Sequence, residues 1–510
     1  MKMQTWEQFQ EEAHSKKVFL FGVGTDSNLF WLKFGNQIRL AGIIDNDQKK
    51  QGFPVEAFVV EVWDKKDAVL PISDLTIIKQ YDQKEVVVLI ASRKFEKQMI
   101  AQLKELGIDN FFSIVEMEKN AHADTRAKEG IPELNSLQQR AGFIEECCKQ
   151  PIVQNKIVVY IGNYGGHGKY ITTDLIRMGQ ALDIIWVVKS LIANAPQGVR
   201  VVYERNWKKY LYELETAHIW IYDVTLPHYV KKRDGQIYIQ TKHWAGITLK
   251  KFFLDDTATI ATEQEREAVR YNGSIMDYIF VGSEFDERTC RSGFDFHGEC
   301  IRVGSPRSDA LFCCDNREKV YYNYGLNREW HSVLYAPTFR TVVSERRKIF
   351  DLTIDCAGVR ESLKKRFGGE WYILLRIHPS LSKKDVSSEN ENYVIDVSDY
   401  PDSQELVAAS DIVISDYSSI MFEPAFVGKP VFLYAPDREQ YVNRERDLLI
   451  DYDSLPFPMA QSNEKLLGKI EQFSQPEYEK IVKAFLKKYG VCEDGHASER
   501  ASKFILDLLE

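Results

Sequence analysis

The 510-residue chain alternates short apolar runs with helix-like segments three times over, and that alternation constrains its fold more than any other feature. Brief runs of branched apolar residues bounded by turn residues read as strands buried on both faces, and strands interleaved with helices build parallel sheets. The first set comprises Val18 to Phe21, a run ending at Ile43, Ile44 and Asp45, and Glu85 to Ile90. The second runs through Ile157 to Ile161, Ile184 to Val188, Ile219 to Tyr222 and Tyr278 to Val281. The third contains Val333 to Ala336, Tyr372 to Ile377, Asp411 to Ser415 and Val431 to Tyr434. Between the first two sets, Asn120 to Gln150 is polar, carries Gly130 and Pro132, and reads as a helical linker.

The expected architecture is therefore α/β: two facing Rossmann-like lobes preceded by a smaller Rossmann-like domain. The boundaries fall at residues 1–119 for the small domain, 120–150 for the linker, 151–320 for the first lobe and 321–510 for the second. Open parallel sheets bind ligands beyond the carboxyl ends of their strands, so the site is expected between the two lobes.

Hydrophobic residues make up 44% and charged residues 28%, the balance of a globular protein. No apolar run reaches the roughly 18 to 20 residues a membrane span needs, and no signal peptide is evident, so a cytoplasmic protein is expected. None of the eight cysteines is spaced as C-x-x-C, which argues against zinc and thiol redox chemistry. A net charge of −9 argues against a dedicated nucleic-acid binder, while the cluster Lys364, Lys365, Arg366 suits either a solvated face or an anionic lipid surface.

Candidate chemistry gathers after the strands of the second and third sets. Asp416, Ser418 and Ser419 follow an apolar strand and open a segment read as a helix closed by Gly428 and Pro430, with Glu423 in its early turns. Free N–H groups at such a start favour phosphate, and Glu423 could accept from ribose hydroxyls; serine capping and a dipole-complementing glutamate are the ordinary alternative. His378 follows another strand and precedes Pro379, and His243 follows a strand at Ile237 to Ile239. Histidine is suited to removing a proton from a hydroxyl near neutral pH, although either could be structural. Gly304, Ser305, Arg307 and Asp309, and then Thr338 and Arg340, put arginines beside turn residues, where they suit phosphate oxygens or pair with a carboxylate such as Asp309.

Taken together, five ordered strings resemble the CDP-glycerol glycerophosphotransferase family of teichoic acid and capsule polymer synthesis over roughly residues 155 to 505. They are Gly304 to Asp309, Tyr335 to Arg340, Arg376 to Ser380, Ser415 to Lys429, and the tail residues Asp494, Gly495, Ala497, Ser498 and Arg500. The resemblance implies a GT-B type fold, a CDP-glycerol or CDP-ribitol donor, no separate cofactor or metal, and a lipid-linked acceptor reached peripherally at the inner face of the cell membrane. Self-association is compatible with it. It further implies His243 as base, His378 near the donor phosphates, and Lys250, Ser418, Ser419 and Glu423 among substrate-binding positions. One departure stands out: the family's Trp-His-Gly-Thr-Pro-Leu-Lys is replaced by Lys242, His243, Trp244, Ala245, Gly246, Ile247, Thr248, Leu249, Lys250, a longer loop.

The expected reaction is attack of an acceptor hydroxyl on the polyol-bearing phosphorus, with CMP leaving. A glycosyltransferase on the same scaffold, or a non-enzymatic scaffold of a polymer-export complex, are the alternatives. In the small domain, Gly22, Gly24 and Asp45 make half of a dinucleotide fingerprint, which reads more simply as a packing module with no redox role. Gly162 to Lys169 departs from a P-loop at Asn163 and Tyr170, so ATP hydrolysis is not expected; the loop faces the cleft or is a plain turn.

Overall fold

A computed structural model describes residues 4–24, 26–34, 37–62, 65–124, 136–162, 164–189, 194–256, 262–338, 354–377, 392–439, 441 and 447–510. The chain divides into two compact units, one comprising Met1–Val153, Ile185–Ala193 and Arg200–Ala217, the other Gln154–Ile184, Asn194–Val199 and His218–Glu510.

The first unit holds a five-stranded parallel sheet in the order Ile72–Ser73, Leu40–Ile44, Lys17–Phe21, Val86–Ile90, Phe111–Ser113. Val86–Ile90 is buried at every position, because one apolar cluster covers each face of the sheet. The helix Trp207–Thr216 belongs to the same unit; Lys208 and Lys209 each pair at 2.6 Å with Glu61 and Glu56 beside the sheet.

The second unit contains the second lobe and most of the first. The first lobe is built on a seven-stranded sheet in which Glu299–Ile301, Tyr278–Phe280, Ile237–Gln240 and Ala217–Tyr222 pair in parallel in that order, followed by Val153–Tyr160, Asp183–Val188 and Arg200–Tyr203. In the second, six parallel strands run Val394–Asp396, Trp371–Leu375, His331–Tyr335, Ile412–Ser415, Val431–Tyr434, Met459–Ala460. Their Val, Ile and Leu side chains feed a core on each face. The order reverses between His331–Tyr335 and Ile412–Ser415, and a crevice opens beyond such a reversal. No described helix is long and apolar enough to cross a membrane.

Candidate active site

The loop after Ile237–Gln240 carries His243. Thr241 donates its N–H to Tyr222 O at 2.7 Å, and the Lys242 N–H reaches Gln240 Oε1 at 2.7 Å, which stops the strand. Lys242 then takes φ 54°, a left-handed conformation that turns the chain and frees His243 from the buried run around it. Gly246 is required next, because a Cβ would stand 2.9 Å from the backbone of Gly282. Beyond it, Ile247 and Leu249 are wholly buried in the core of the second lobe. The Leu449 N–H donates to Leu249 O at 2.8 Å, and the Lys251 N–H donates to Asp447 O at 2.9 Å. The greater length of this loop thus has a physical use: it carries two apolar side chains across to the other lobe.

A cavity of about 490 Å³ lies over this crossing. Gly165, His243, Trp244, Thr248, Lys250, Lys251, Phe252, Phe253 and Arg307 line it from the first lobe, and Ser403, Ser418, Ser419, Ile420 and Glu423 from the second. Thr248 Oγ1 and Ser419 Oγ meet at 2.8 Å across its floor. Arg307 spans the lobes: Nη1 donates to His243 O at 2.6 Å and Nη2 to Glu423 Oε1 at 3.0 Å. Glu423 is only 1% exposed, and burial raises its pKa while Arg307 opposes the rise. Arg307 Nε and Glu423 Oε2 are buried with no hydrogen-bond partner. Buried polar atoms left unsatisfied are costly, so a pair of them beside a cavity marks groups held ready for a ligand.

His243 stands exposed within the cleft. Desolvation by the surrounding walls, then the charges of Arg307, Lys242 and Lys250, lower its pKa to about 4, against a hydrogen bond with the Asp223 backbone. The ring is therefore neutral at pH 7 and able to accept a proton. Behind it lies His167, 1% exposed, whose Nε2 bonds Trp244 O at 2.8 Å while Nδ1 accepts the Arg307 N–H at 3.3 Å. These partners place its proton on Nε2. Burial, followed by the nearby cations Lys242 and Arg307, holds its pKa well below the usual value. Fully engaged, it is a strut between the two loops that furnish His243 and Arg307.

Of the residues singled out in the sequence, His243, Lys250, Arg307, Ser418, Ser419 and Glu423 meet at this cavity. His378 and Arg340 lie outside the described residues. Gly304, Ser305 and Asp309, expected to bind substrate, are instead committed to the carboxyl-terminal tail. Ser305 Oγ donates to Glu493 Oε1 at 2.6 Å, and Asp309 accepts the N–H groups of Ala497 and Ser498, the first turn of helix Ala497–Asp507. Asp309 is thus a helix cap, and Arg307 pairs with Glu423 rather than with it. Gly304 supplies φ 90° for the turn between strand and clasp. Asp416 and Thr338 bind each other at the sheet's reversal: Asp416 accepts Thr338 Oγ1 at 2.6 Å and the Thr338 N–H at 2.8 Å. They brace the crevice without lining the cavity.

The helix expected from Ser418 to Gly428 is replaced by a 3₁₀ turn, Ser419–Met421, and a five-residue α-helix, Phe422–Phe426. Pro424 lacks the N–H that would continue the ladder back to Ile420, and Gly428 at φ 73° ends it. Ser418 Oγ accepts the Ile420 N–H at 3.4 Å, the capping alternative. With so short a helix, any anion at this point would depend on hydroxyls and individual N–H groups more than on a macrodipole. Three further contributors carry no role that the sequence assigns: His167, Lys242, and the aromatic wall of Trp244 and Phe252, whose rings lie 4.3 Å apart. The loop around Gly162 held the signal for His167, but comparison with a P-loop drew attention to the wrong positions.

In the first unit, Asp45 Oδ2 accepts the Val23 N–H at 2.7 Å and Lys50 Nζ at 3.0 Å, while Oδ1 accepts the Asp47 N–H at 2.9 Å. The carboxylate that a dinucleotide would need for its ribose is spent on its own loop, in keeping with a packing module. Gly22 takes φ 102° with the Ala91 carbonyl 3.1 Å from where a Cβ would be, and around Gly24 the space is open.

Residues 145–507 match the family described as CDP-Glycerol:Poly(glycerophosphate) glycerophosphotransferase. The chain belongs to this family. A relative, the teichoic acid poly(glycerol phosphate) polymerase of Bacillus spizizenii, is 28% identical over 63% of this glycerophosphotransferase-family chain and 83% of its own length. The polymerase of the same name from Staphylococcus epidermidis is 29% identical over 71% of this chain, which spans only 51% of that protein. Among solved structures, the wall teichoic acid polymerase TagF, as a histidine-to-asparagine variant soaked with CDPG, superposes with a TM-score of 0.66 at 26% identity. The match covers 73% of this family member and 93% of the solved chain. The α/β fold with paired Rossmann-like lobes is accordingly the GT-B type arrangement of that structure.

Proposed function

We propose that the chain transfers glycerol phosphate from CDP-glycerol to a hydroxyl of a lipid-linked teichoic acid acceptor and releases CMP. Family membership and the CDPG-soaked relative support the donor class. The observation that carries the reading is a neutral histidine beside an arginine and a glutamate, both with unspent polar atoms, around one cavity. In this reading His243 takes the acceptor hydroxyl's proton as its oxygen attacks the glycerol-bearing phosphorus. The bond from that phosphorus to the bridging oxygen breaks, CMP leaves with that oxygen, and a phosphodiester forms. Arg307, with the hydroxyls of Ser418 and Ser419, meets the charge that builds on the phosphate oxygens, work for which an aimed donor is suited. Glu423 holds Arg307 and offers its second oxygen to a ribose hydroxyl. His378 and Arg340 keep the phosphate-facing roles expected of them. Lys250 and Lys251 at the rim suit a polyanionic acceptor. The enzyme would reach a lipid-linked acceptor as a peripheral protein on the inner membrane face.

Incubation with CDP-glycerol, and separately CDP-ribitol, plus a lipid-linked primer tests this through the nucleotide released. CMP from CDP-glycerol in excess over CDP-ribitol is the expected result. A nucleoside diphosphate would indicate glycosyl transfer, and absence of turnover with either donor would favour a scaffold.

A further inference from the structure

We propose that Lys242 and Asp286 form a buried ion pair that positions His243, gripping the residue on each side of it so that the imidazole alone projects into the cleft. This rests on the reading of His243 as the base. The side chains of Lys242 and Asp286 are 1% and 0% exposed, and Lys242 Nζ lies 2.9 Å from Asp286 Oδ2. The same carboxylate accepts Trp244 Nε1 at 3.0 Å through Oδ1 and the Gly282 N–H at 2.9 Å through Oδ2. Lys242 Nζ also donates to Trp244 O at 3.2 Å. The neighbours of His243 in sequence, Lys242 and Trp244, are therefore fixed to one acidic group, and His243 is the residue between them left exposed.

Asp286 is itself immobilised. It sits in the first turn of helix Glu284–Phe294, where its N–H is capped by Ser283 Oγ at 2.9 Å, and Ser283 in turn donates to Gly246 O. The helix thus holds the His243 loop at three places, Lys242, Trp244 and Gly246. Two features make a purely stabilising role a poor account. A buried ion pair is a weak source of stability, because desolvation offsets the attraction. Lys242 moreover occupies φ 54°, where an L residue is disfavoured and a glycine would sit freely. What that conformation accomplishes is a reversal that presents His243.

Holding the loop also fixes the surroundings of the ring. The groups bearing on His243 are Arg307, Lys242 and Lys250, all cationic, the neutral His167 behind it, and the Asp223 backbone. Because Lys242 and Asp286 carry opposite charges, removing both leaves the charge beside the ring little changed, and what the pair governs is how far the cleft walls desolvate the imidazole, the largest cause of its lowered pKa.

The test is the double variant Lys242→Met/Asp286→Asn, which leaves no unpaired buried charge. Two readouts are taken. In a carbon-13 titration of the histidine rings of the ligand-free protein, with His243 assigned by His243→Gln, its pKa should rise from about 4 toward the ordinary value of about 6.5 as the released ring leaves the walls that desolvate it. In steady-state turnover, kcat should fall at least about tenfold with the KM for CDP-glycerol changed less than about threefold. An unmoved titration together with unchanged kcat overturns the proposal. Should the double variant not fold, Asp286→Asn alone carries the kinetic test, with the same split expected and unchanged kcat again overturning it. The titration needs no substrate, so it separates failure of this proposal from failure of the donor assignment.

Discussion

Two loops at the carboxyl ends of parallel sheets carry acidic residues that a sequence reader would assign to a nucleotide, and the structure treats them oppositely. In the small domain, both oxygens of Asp45 are occupied by Val23, Asp47 and Lys50, so the loop is closed on itself. In the second unit, Glu423 is as deeply buried, yet one of its oxygens has no partner and its arginine keeps a free Nε beside an open cavity. The lesson is one of hydrogen-bond accounting. A fully satisfied carboxylate stabilises its loop, whereas a buried group left partly unsatisfied is maintained for something that arrives later.

Substitutions can break or sharpen this contrast. The largest effect is expected from His243→Ala, which should lower kcat about 10²- to 10⁴-fold as a general base is lost. In the intact protein the acid limb of kcat/KM should follow His243. The ring must be neutral to accept a proton, so activity persists below pH 6 and falls about tenfold per pH unit only below about 4. An acid limb near 6.5 would show that desolvation and the neighbouring cations do not govern the ring. Arg307→Ala comes next, with a loss of about 10²- to 10³-fold in turnover from removing an aimed donor. If it cost less than threefold, the unspent Nε would be an accident of packing. Asp45→Asn should have the smallest functional effect: unchanged turnover, no NAD binding by calorimetry, and a loss of about 1 to 3 kcal/mol in chemical denaturation. A tight NAD complex in the native protein would erase the contrast.

Much of the scaffold could be read from residue patterns because strands buried on both faces are written as runs such as Val86 to Ile90 and Ile412 to Ile414, which few other structures accommodate. His243 was legible for a similar reason: it follows a strand whose carboxyl end topology directs to a crevice. The partners of these residues were not. Nothing local joins Arg307 to Glu423, which lie 116 positions apart, or Asp309 to Ser498, 189 apart. Arg307 and Asp309 sit in one short motif, yet one faces the cavity and the other caps a distant helix, a division set by tertiary contact alone. The roles of Lys242 and His167 have no local sign, because a buried lysine and a buried histidine carry no periodic signature. The overestimate of the helix after Ser418 has a local cause, Pro424, whose effect on the hydrogen-bond ladder was outweighed in reading by the capping serines.

The central claim is that the donor reacts in the cavity shared by His243, Arg307 and Glu423. A crystal structure of the His243→Asn protein soaked with CDP-glycerol tests it most directly. The account predicts the diphosphate within hydrogen-bond distance of Arg307 and of Ser418 or Ser419, with the glycerol-bearing phosphorus turned toward residue 243. A cytidine nucleotide seated away from these side chains would contradict it.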